Sequence, residues 1–374
     1  MPPIVPTGPL SARSLTGVAP DILASLSGSA EMLAPVRSAV LIVIDGLGAM
    51  QLRAHAGHAR RLAALGGKKD VARSVFPSTT AAALTSILTG SEPGQHGLVG
   101  YRVMDPARGR PVNQLNGYER DGLDPASWQR RPTVFERAAA EGRRTFAVGL
   151  GQYSKSGLTA AILRGAEYVP ADDVRARVRL AYELAAAEPG SLVYCYLPEV
   201  DQAGHRHGVA SDEWVAALED VDGAFAAPVP HGVGAVATAD HGMVDVPRHR
   251  HVLLQSEDPR LDGVAHLGGE PRLLHLYLED DVHAADVART WERESGRSAD
   301  VVTRDDAIAG GVFGPVADDV VPRIGDVLVA ARGSWAFYDD RLADKRPQDM
   351  IGQHGSTTPE EVVVPLLRLG AYAG

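Results

Sequence analysis

Residues 39–44, Ala-Val-Leu-Ile-Val-Ile, form an uninterrupted apolar run, rich in β-branched residues, that stops at Asp45-Gly46-Leu47-Gly48. A strand without polar alternation offers water no face, so the run predicts a strand covered on both sides, as in a parallel sheet flanked by helices. The pattern recurs at 145–150 (TFAVGL), 191–197 (SLVYCYL) and 233–238 (VGAVAT), each ending in a polar or glycine-rich turn. Helical stretches lie around them at 81–88, 133–141, 174–187 and 212–225. Strand and helix alternating at this spacing predict an α/β fold with a mostly parallel central sheet.

Residues 1–35, rich in Pro, Ser, Gly and Ala, read as an N-terminal arm with a short helix near 20–26. The catalytic α/β core is expected at 36–247 and 346–374. The stretch 248–345 has a different character: a strand at 272–279, an amphipathic helix at 286–295, and two strands at 325–331 and 334–338 that read as a hairpin. It is expected to be an inserted α+β cap.

Several function classes are disfavoured at once. With 37 Lys+Arg against 47 Asp+Glu the net charge is -10, a poor balance for a nucleic-acid polymer as partner. The longest strictly apolar runs, such as 39–44 and 192–197, are far shorter than the roughly 20 residues of a membrane span. The start, MPPIVPTGPLSAR, lacks a basic stretch followed by an apolar core, which predicts a cytoplasmic protein without a secretory signal. The single cysteine, Cys195, leaves His and carboxylates as the residues able to hold a metal. Oligomeric state is not encoded in any feature of the chain.

Ligands of doubly wound sheets sit beyond the carboxyl ends of the strands. There the chain places Asp45 after the first run, Asp201 and His205 after the third, and Asp240-His241 after the fourth, with His354 between two glycines near the C-terminus. Each alone has an ordinary explanation as a turn or surface residue; the conjunction of three Asp and three His points to zinc, with manganese as the alternative. A second feature is Phe76-Pro77-Ser78-Thr79-Thr80 before AAALTSILTG. Ser78, Thr79 or Thr80 would cap a helix there, and a hydroxyl at a helix N-terminus meets free N–H groups that favour a phosphate or an ionised oxygen. A threonine hydroxyl is a weak nucleophile until a base or metal activates it, which the Asp/His set would supply.

In these blocks the chain resembles the alkaline phosphatase superfamily, particularly its type I phosphodiesterase/nucleotide pyrophosphatase branch. VIDGLG (43–48), FPSTTAAALTSILTG (76–90) with PGQHGLVG (93–100), YLPEVDQAGHRHG (196–208), TADHGM (238–243) and GQHGSTTPEE (352–361) carry the likeness in order and spacing. The resemblance implies an alkaline-phosphatase-like core and two divalent metal ions, usually zinc. Asp201, His205 and His354 would hold one; Asp45, Asp240 and His241 would hold the other. It implies Thr80 as nucleophile, with Thr79 as runner-up, and a two-step displacement at phosphorus through a phospho-threonine. The position where many relatives carry an asparagine donor holds Tyr101, so Tyr101, Asn113 or Asn116 is expected to contact the phosphoryl oxygen. The implied substrate is a small phosphate ester, a phosphodiester or a pyrophosphate of nucleotide type. A phosphomonoesterase or phosphonate hydrolase with the same site is the alternative, and a non-catalytic metal- or anion-binding protein the third. Because the histidines must be neutral to ligate, activity is expected to fall below a pH of about 6.5.

Overall fold

The computed structural model describes residues 13–373; the first twelve residues of the expected arm lie outside the described residues. Its centre is an eight-stranded sheet in the order Arg13–Ser14, Val71–Arg73, Val363–Gly370, Val233–Thr238, Ser38–Ile44, Leu192–Leu197, Thr145–Gly149, Glu167–Pro170. Every pairing is parallel except the two made by Val363–Gly370. Ser38–Ile44 is buried along its whole length, as its unbroken apolar sequence requires. Helix Val174–Ala187 packs against this strand and Leu192–Leu197, and Val18–Ser25 packs against it and against helix Thr80–Thr89.

Local sequence sets where these helices begin. Asp173, Ser211 and Thr133 each accept a backbone N–H from the first turn of the helix they precede, and Thr133 forms a capping box with Glu136. Each cap contributes about 1 kcal/mol relative to alanine. The parallel strands then deliver their carboxyl ends to one edge of the sheet, where the loops that follow carry polar residues.

A second sheet, antiparallel throughout, contains Val264–Glu270, Leu273–Leu278, Val327–Ala331 and Ala299–Thr303 in that order. Strand period two divides its side chains. Leu274, Leu276, Val327 and Val329 join Trp291 and Phe337 in a separate apolar cluster, while Leu273, Leu328 and Ala330 belong to the main core. The hairpin expected from 325–331 and 334–338 does not form. Val327–Ala331 is fully buried and takes a strand on each side, whereas Ala336–Asp339 pairs in parallel with His251–Leu254. A central apolar strand satisfies both rows of backbone groups only with two neighbours, and chain proximity gave way to that requirement.

Candidate metal centre

Three adjacent strands deliver the site. Ser38–Ile44 ends at Asp45; Leu192–Leu197 leads into helix Glu199–His207, which carries Asp201 and His205 one turn apart; Val233–Thr238 leads to Asp240-His241. Gly352–Gln353 pairs with Val244–Asp245 and sets His354 beside them. Close approach of the first two loops depends on Gly46. Its φ is +73°, and a Cβ there would stand 2.8 Å from Asp201 Cβ.

The histidines are oriented alike. His205 Nδ1 meets the Gly352 carbonyl at 2.8 Å, His354 Nδ1 meets Ser78 O at 2.9 Å, and His241 Nδ1 meets Gly242 O at 3.1 Å. A carbonyl only accepts, so each Nδ1 carries a proton, and a neutral ring held this way turns its Nε2 lone pair toward the centre. His205 Nε2 and His354 Nε2 face each other at 3.2 Å, an arrangement of two lone pairs that a cation relieves. Burial, with His241 and His205 nearby, holds His354 well below the ordinary imidazole range, so its ring is neutral.

The carboxylates complete the set. Asp45 Oδ1, Asp201 Oδ1 and Asp240 Oδ2 are buried and accept no hydrogen bond. The other oxygens of Asp45 and Asp240 are occupied: Tyr196 donates to Asp45 Oδ2, and His241 N–H donates to Asp240 Oδ1 at 3.0 Å. Desolvation by burial and the charges of Asp240 and Asp201 push Asp45 well above the carboxylate range; burial also raises Asp240. Three acids sharing so little space with no Lys or Arg paired to them among the described residues is costly without an added cation.

Ligand atoms of Asp201, His205 and His354 lie within 4.8 Å of one another, and so do those of Asp45, Asp201 and His241. Asp240 is beside the second group, with Oδ2 3.4 Å from His241 Nε2, the same separation as Asp45 Oδ1. The tertiary fold therefore adds one feature that motif order did not contain: Asp201 faces both groups. Thr79 is the N-cap of helix Thr80–Thr89 but makes no side-chain cap bond. Thr80, the first helical residue, puts Oγ1 3.1 Å from His241 Nε2.

Thr80, Asp45 and Asp201 open onto a cavity of about 360 Å³. Its walls are largely apolar or aromatic, including Leu84, Ile162, Tyr153, Tyr168, Tyr194 and Tyr196, and among the described residues no Lys or Arg lines it. Of the three residues expected to contact the phosphoryl group, Asn116 lines this cavity. Asn113 Oδ1 accepts the Leu115 and Asn116 N–H groups and braces the turn. Tyr101 lines a separate, smaller cavity with Glu270 and Tyr338. The four cavity tyrosines were missed in the sequence because they come from three separate segments, Gly151–Tyr153, Glu167–Pro170 and Leu192–Leu197. Their one local signal is the Tyr194/Tyr196 alternation, which an all-apolar reading of 191–197 concealed.

A model of the type I phosphodiesterase / nucleotide pyrophosphatase family matches residues 39–357, a span that holds all six Asp and His residues and Thr80. The chain belongs to this family. The members and folds around it are distant. An uncharacterized pyrophosphatase/phosphodiesterase of Schizosaccharomyces pombe is 24% identical over 208 residues, which are 52% of this chain and 42% of that protein. The chain thus spans less than half the length of this curated relative. Mouse ectonucleotide pyrophosphatase/phosphodiesterase 5, solved as an inactive variant with AMP, has a TM-score of 0.66 at 16% identity, covering 90% of this chain and 88% of that one. Phosphonoacetate hydrolase of Sinorhizobium meliloti 1021, solved with phosphonoacetate, has a TM-score of 0.68 at 18% identity, covering 90% and 93%. Both are similar in fold to this chain, whose mostly parallel eight-stranded sheet is flanked by helices with a small antiparallel sheet beside it. Among the described residues of this family member, no helix is long and apolar enough to cross a membrane.

Glu270, at the end of Val264–Glu270, is buried and has no Lys or Arg paired to it among the described residues. Desolvation lifts its pKa from 4.5 to about 8. Between those values the unfolded chain has lost the proton and the folded chain keeps it, so stability falls as pH rises from 4.5 toward 8 and levels off above. Glu270→Gln removes this titration. The midpoint of thermal unfolding of the variant, relative to wild type, is expected to rise steadily between pH 5 and 8; a constant difference across that range would show that Glu270 ionises normally.

Proposed function

We propose that this hydrolase cleaves phosphodiester or pyrophosphate bonds of nucleotide-like substrates at a two-metal centre, through a phospho-threonine formed on Thr80. The observation that carries the reading is the convergence of three imidazole Nε2 lone pairs and three unpartnered carboxylate oxygens beside the Thr80 hydroxyl. Asp201, His205 and His354 would hold one ion, and Asp45, Asp240 and His241 the other, with Asp201 able to reach both. The mixed N/O donor set and absence of thiolate suit Zn²⁺, with Mn²⁺ second. Bound there, such ions supply positive charge that favours the ionised Thr80 oxygen and offsets charge on the leaving oxygen.

The protein's own residues do the rest. The Thr80 oxygen attacks phosphorus in line, the bond from phosphorus to the ester oxygen breaks, and water then displaces Thr80 from the phosphoryl group. Thr80 begins a ten-residue helix, so free N–H groups of its first turn face the phosphoryl oxygens. The organic group sits in the cavity, whose volume is at the lower end of the roughly 300–1,000 Å³ of small-molecule sites. Tyrosine rings suit a flat base or another uncharged aromatic group, and Asn116 and Gln202 offer hydrogen bonds to it.

The cavity also ranks the alternatives. A phosphonate bearing a carboxylate needs a cationic partner, and the titratable lining residues are carboxylic acids and tyrosines. A monoester leaves this apolar volume empty during the second step. With purified, metal-loaded protein, kcat/KM for bis(4-nitrophenyl) phosphate is expected to exceed that for 4-nitrophenyl phosphate by about tenfold or more, the effect of roughly 1.4 kcal/mol of differential transition-state binding. A preference for the monoester would favour the phosphomonoesterase reading, and no hydrolysis of either or of nucleotide esters would end both.

A further inference from the structure

Arg272 and Glu361 form an ion pair with no exposed surface, joining the small sheet to the C-terminal part of the core. Arg272 Nε donates to Glu361 Oε1 at 3.0 Å and Nη2 to Oε2 at 2.7 Å, a two-pronged contact that fixes the angle between them. The same carboxylate accepts the Ser356 N–H on Oε1 at 3.0 Å. On Oε2 it accepts the Thr358 N–H at 3.2 Å and the Thr358 hydroxyl at 2.6 Å. Arg272 Nη1 is spent on the Trp335 carbonyl.

These bonds run on into the metal centre. The Ser356 carbonyl accepts from Ser78 Oγ at 2.7 Å, and the Ser78 carbonyl accepts from His354 Nδ1 at 2.9 Å. Ser356 Oγ donates to Ala331 O in the small sheet at 2.7 Å. Through its own carbonyl, Glu361 accepts the N–H of Gly242, the residue after His241, at 2.8 Å. One glutamate thus touches the segments carrying His354 and His241, and one arginine ties it to the small sheet. A buried ion pair adds little stability over well-packed apolar side chains of the same volume. What five directed donors on one carboxylate add is a single geometry for the loop 354–358.

We propose that Arg272 and Glu361 are positioning residues of the metal centre, holding His354 in place and in its Nδ1–H tautomer, so that the small sheet helps set metal affinity. This rests on the two-metal reading above, and the test separates the two. Zn²⁺ and Mn²⁺ are titrated in competition with a chromophoric chelator into the whole wild-type chain, Glu361→Gln, Arg272→Lys and Asp222→Asn. Asp222 is a control: it is buried, pairs with Arg61 and accepts the Arg61 and Leu62 N–H groups, with no bond into the centre.

Glu361→Gln is expected to bind one of two ions about 10–100-fold more weakly, the usual effect of losing a partner that orients a ligand. Arg272→Lys, which keeps the charge and loses the two-pronged contact, should fall between it and wild type. It also serves as the second variant should Glu361→Gln fail to fold. Asp222→Asn should lower the unfolding temperature and leave metal affinity at the wild-type value. Wild-type affinity in both Glu361→Gln and Arg272→Lys would overturn the inference alone, as would an equal loss in Asp222→Asn. Failure of the wild type to bind either ion would overturn the metal-centre reading and this inference with it.

Discussion

Replacing Thr80 by alanine is expected to lower kcat for phosphodiester hydrolysis by roughly a thousandfold or more, the scale on which removal of a covalent nucleophile acts. The loss should come without loss of metal, because the six Asp and His side chains are untouched. Thr80 is distinguished from its neighbour by direction. Its oxygen is 3.1 Å from His241 Nε2 and opens to the cavity shared with Asp45 and Asp201. Thr79, although the N-cap, gives no side-chain bond to the helix, so Thr79→Ala removes neither a nucleophile nor a cap. Its rate should stay within a few-fold of wild type. Rapid quench with labelled diester, followed by digestion, should find phosphate on the peptide containing Thr80 in wild type and on none in Thr80→Ala. Full activity in Thr80→Ala with a defect in Thr79→Ala would move the nucleophile by one residue.

The second large effect is expected at Asp201, whose carboxylate faces both groups of ligands. Asp201→Asn keeps the shape and removes the charge, and should take metal content below two ions per chain and activity down by about a thousandfold, since two-metal chemistry needs both ions. The same substitution should act oppositely on the metal-free fold. Asp201 is one of the charges that raise the pKa values of Asp45 and Asp240, so removing it relieves repulsion among buried acids. Metal-free Asp201→Asn is therefore expected to unfold at a higher temperature than metal-free wild type. Adding Zn²⁺ at a hundred times its dissociation constant should stabilise wild type by about 2.7 kcal/mol per site and the variant by much less. Calorimetry with and without chelator, beside elemental analysis, checks both signs. A variant that retains two ions and full activity would remove Asp201 from the centre.

Much of this was legible because strand ends are local. An apolar run followed by Asp45, or by Asp240-His241, is written in consecutive residues, and the parallel sheet then collects those ends at one edge. The helical periods at 174–187 and 212–225 likewise coincide with helices Val174–Ala187 and Asp212–Ala224. The strands Val327–Ala331 and Ala336–Asp339 were not legible as pairs, because a hairpin and two separate pairings present the same short apolar runs. The cavity tyrosines and the Arg272–Glu361 pair were invisible for a similar reason: nothing in the neighbourhood of one partner specifies the other.

By itself the sequence determined the class of sheet, the order of the metal-ligand candidates, and the presence of a hydroxyl at the start of a helix, since each follows from residues adjacent along the chain. Only the tertiary structure decided that Asp201 faces both ligand groups, that Thr80 rather than Thr79 opens to the cavity, and that the surrounding wall carries aromatic rings and no cation. These depend on side-chain direction and on contacts between segments more than a hundred residues apart, such as Thr80 with His241 and Arg61 with Asp222. Packing chooses among such contacts by burying apolar surface and pairing every polar group it can. Neither condition can be read from one segment alone.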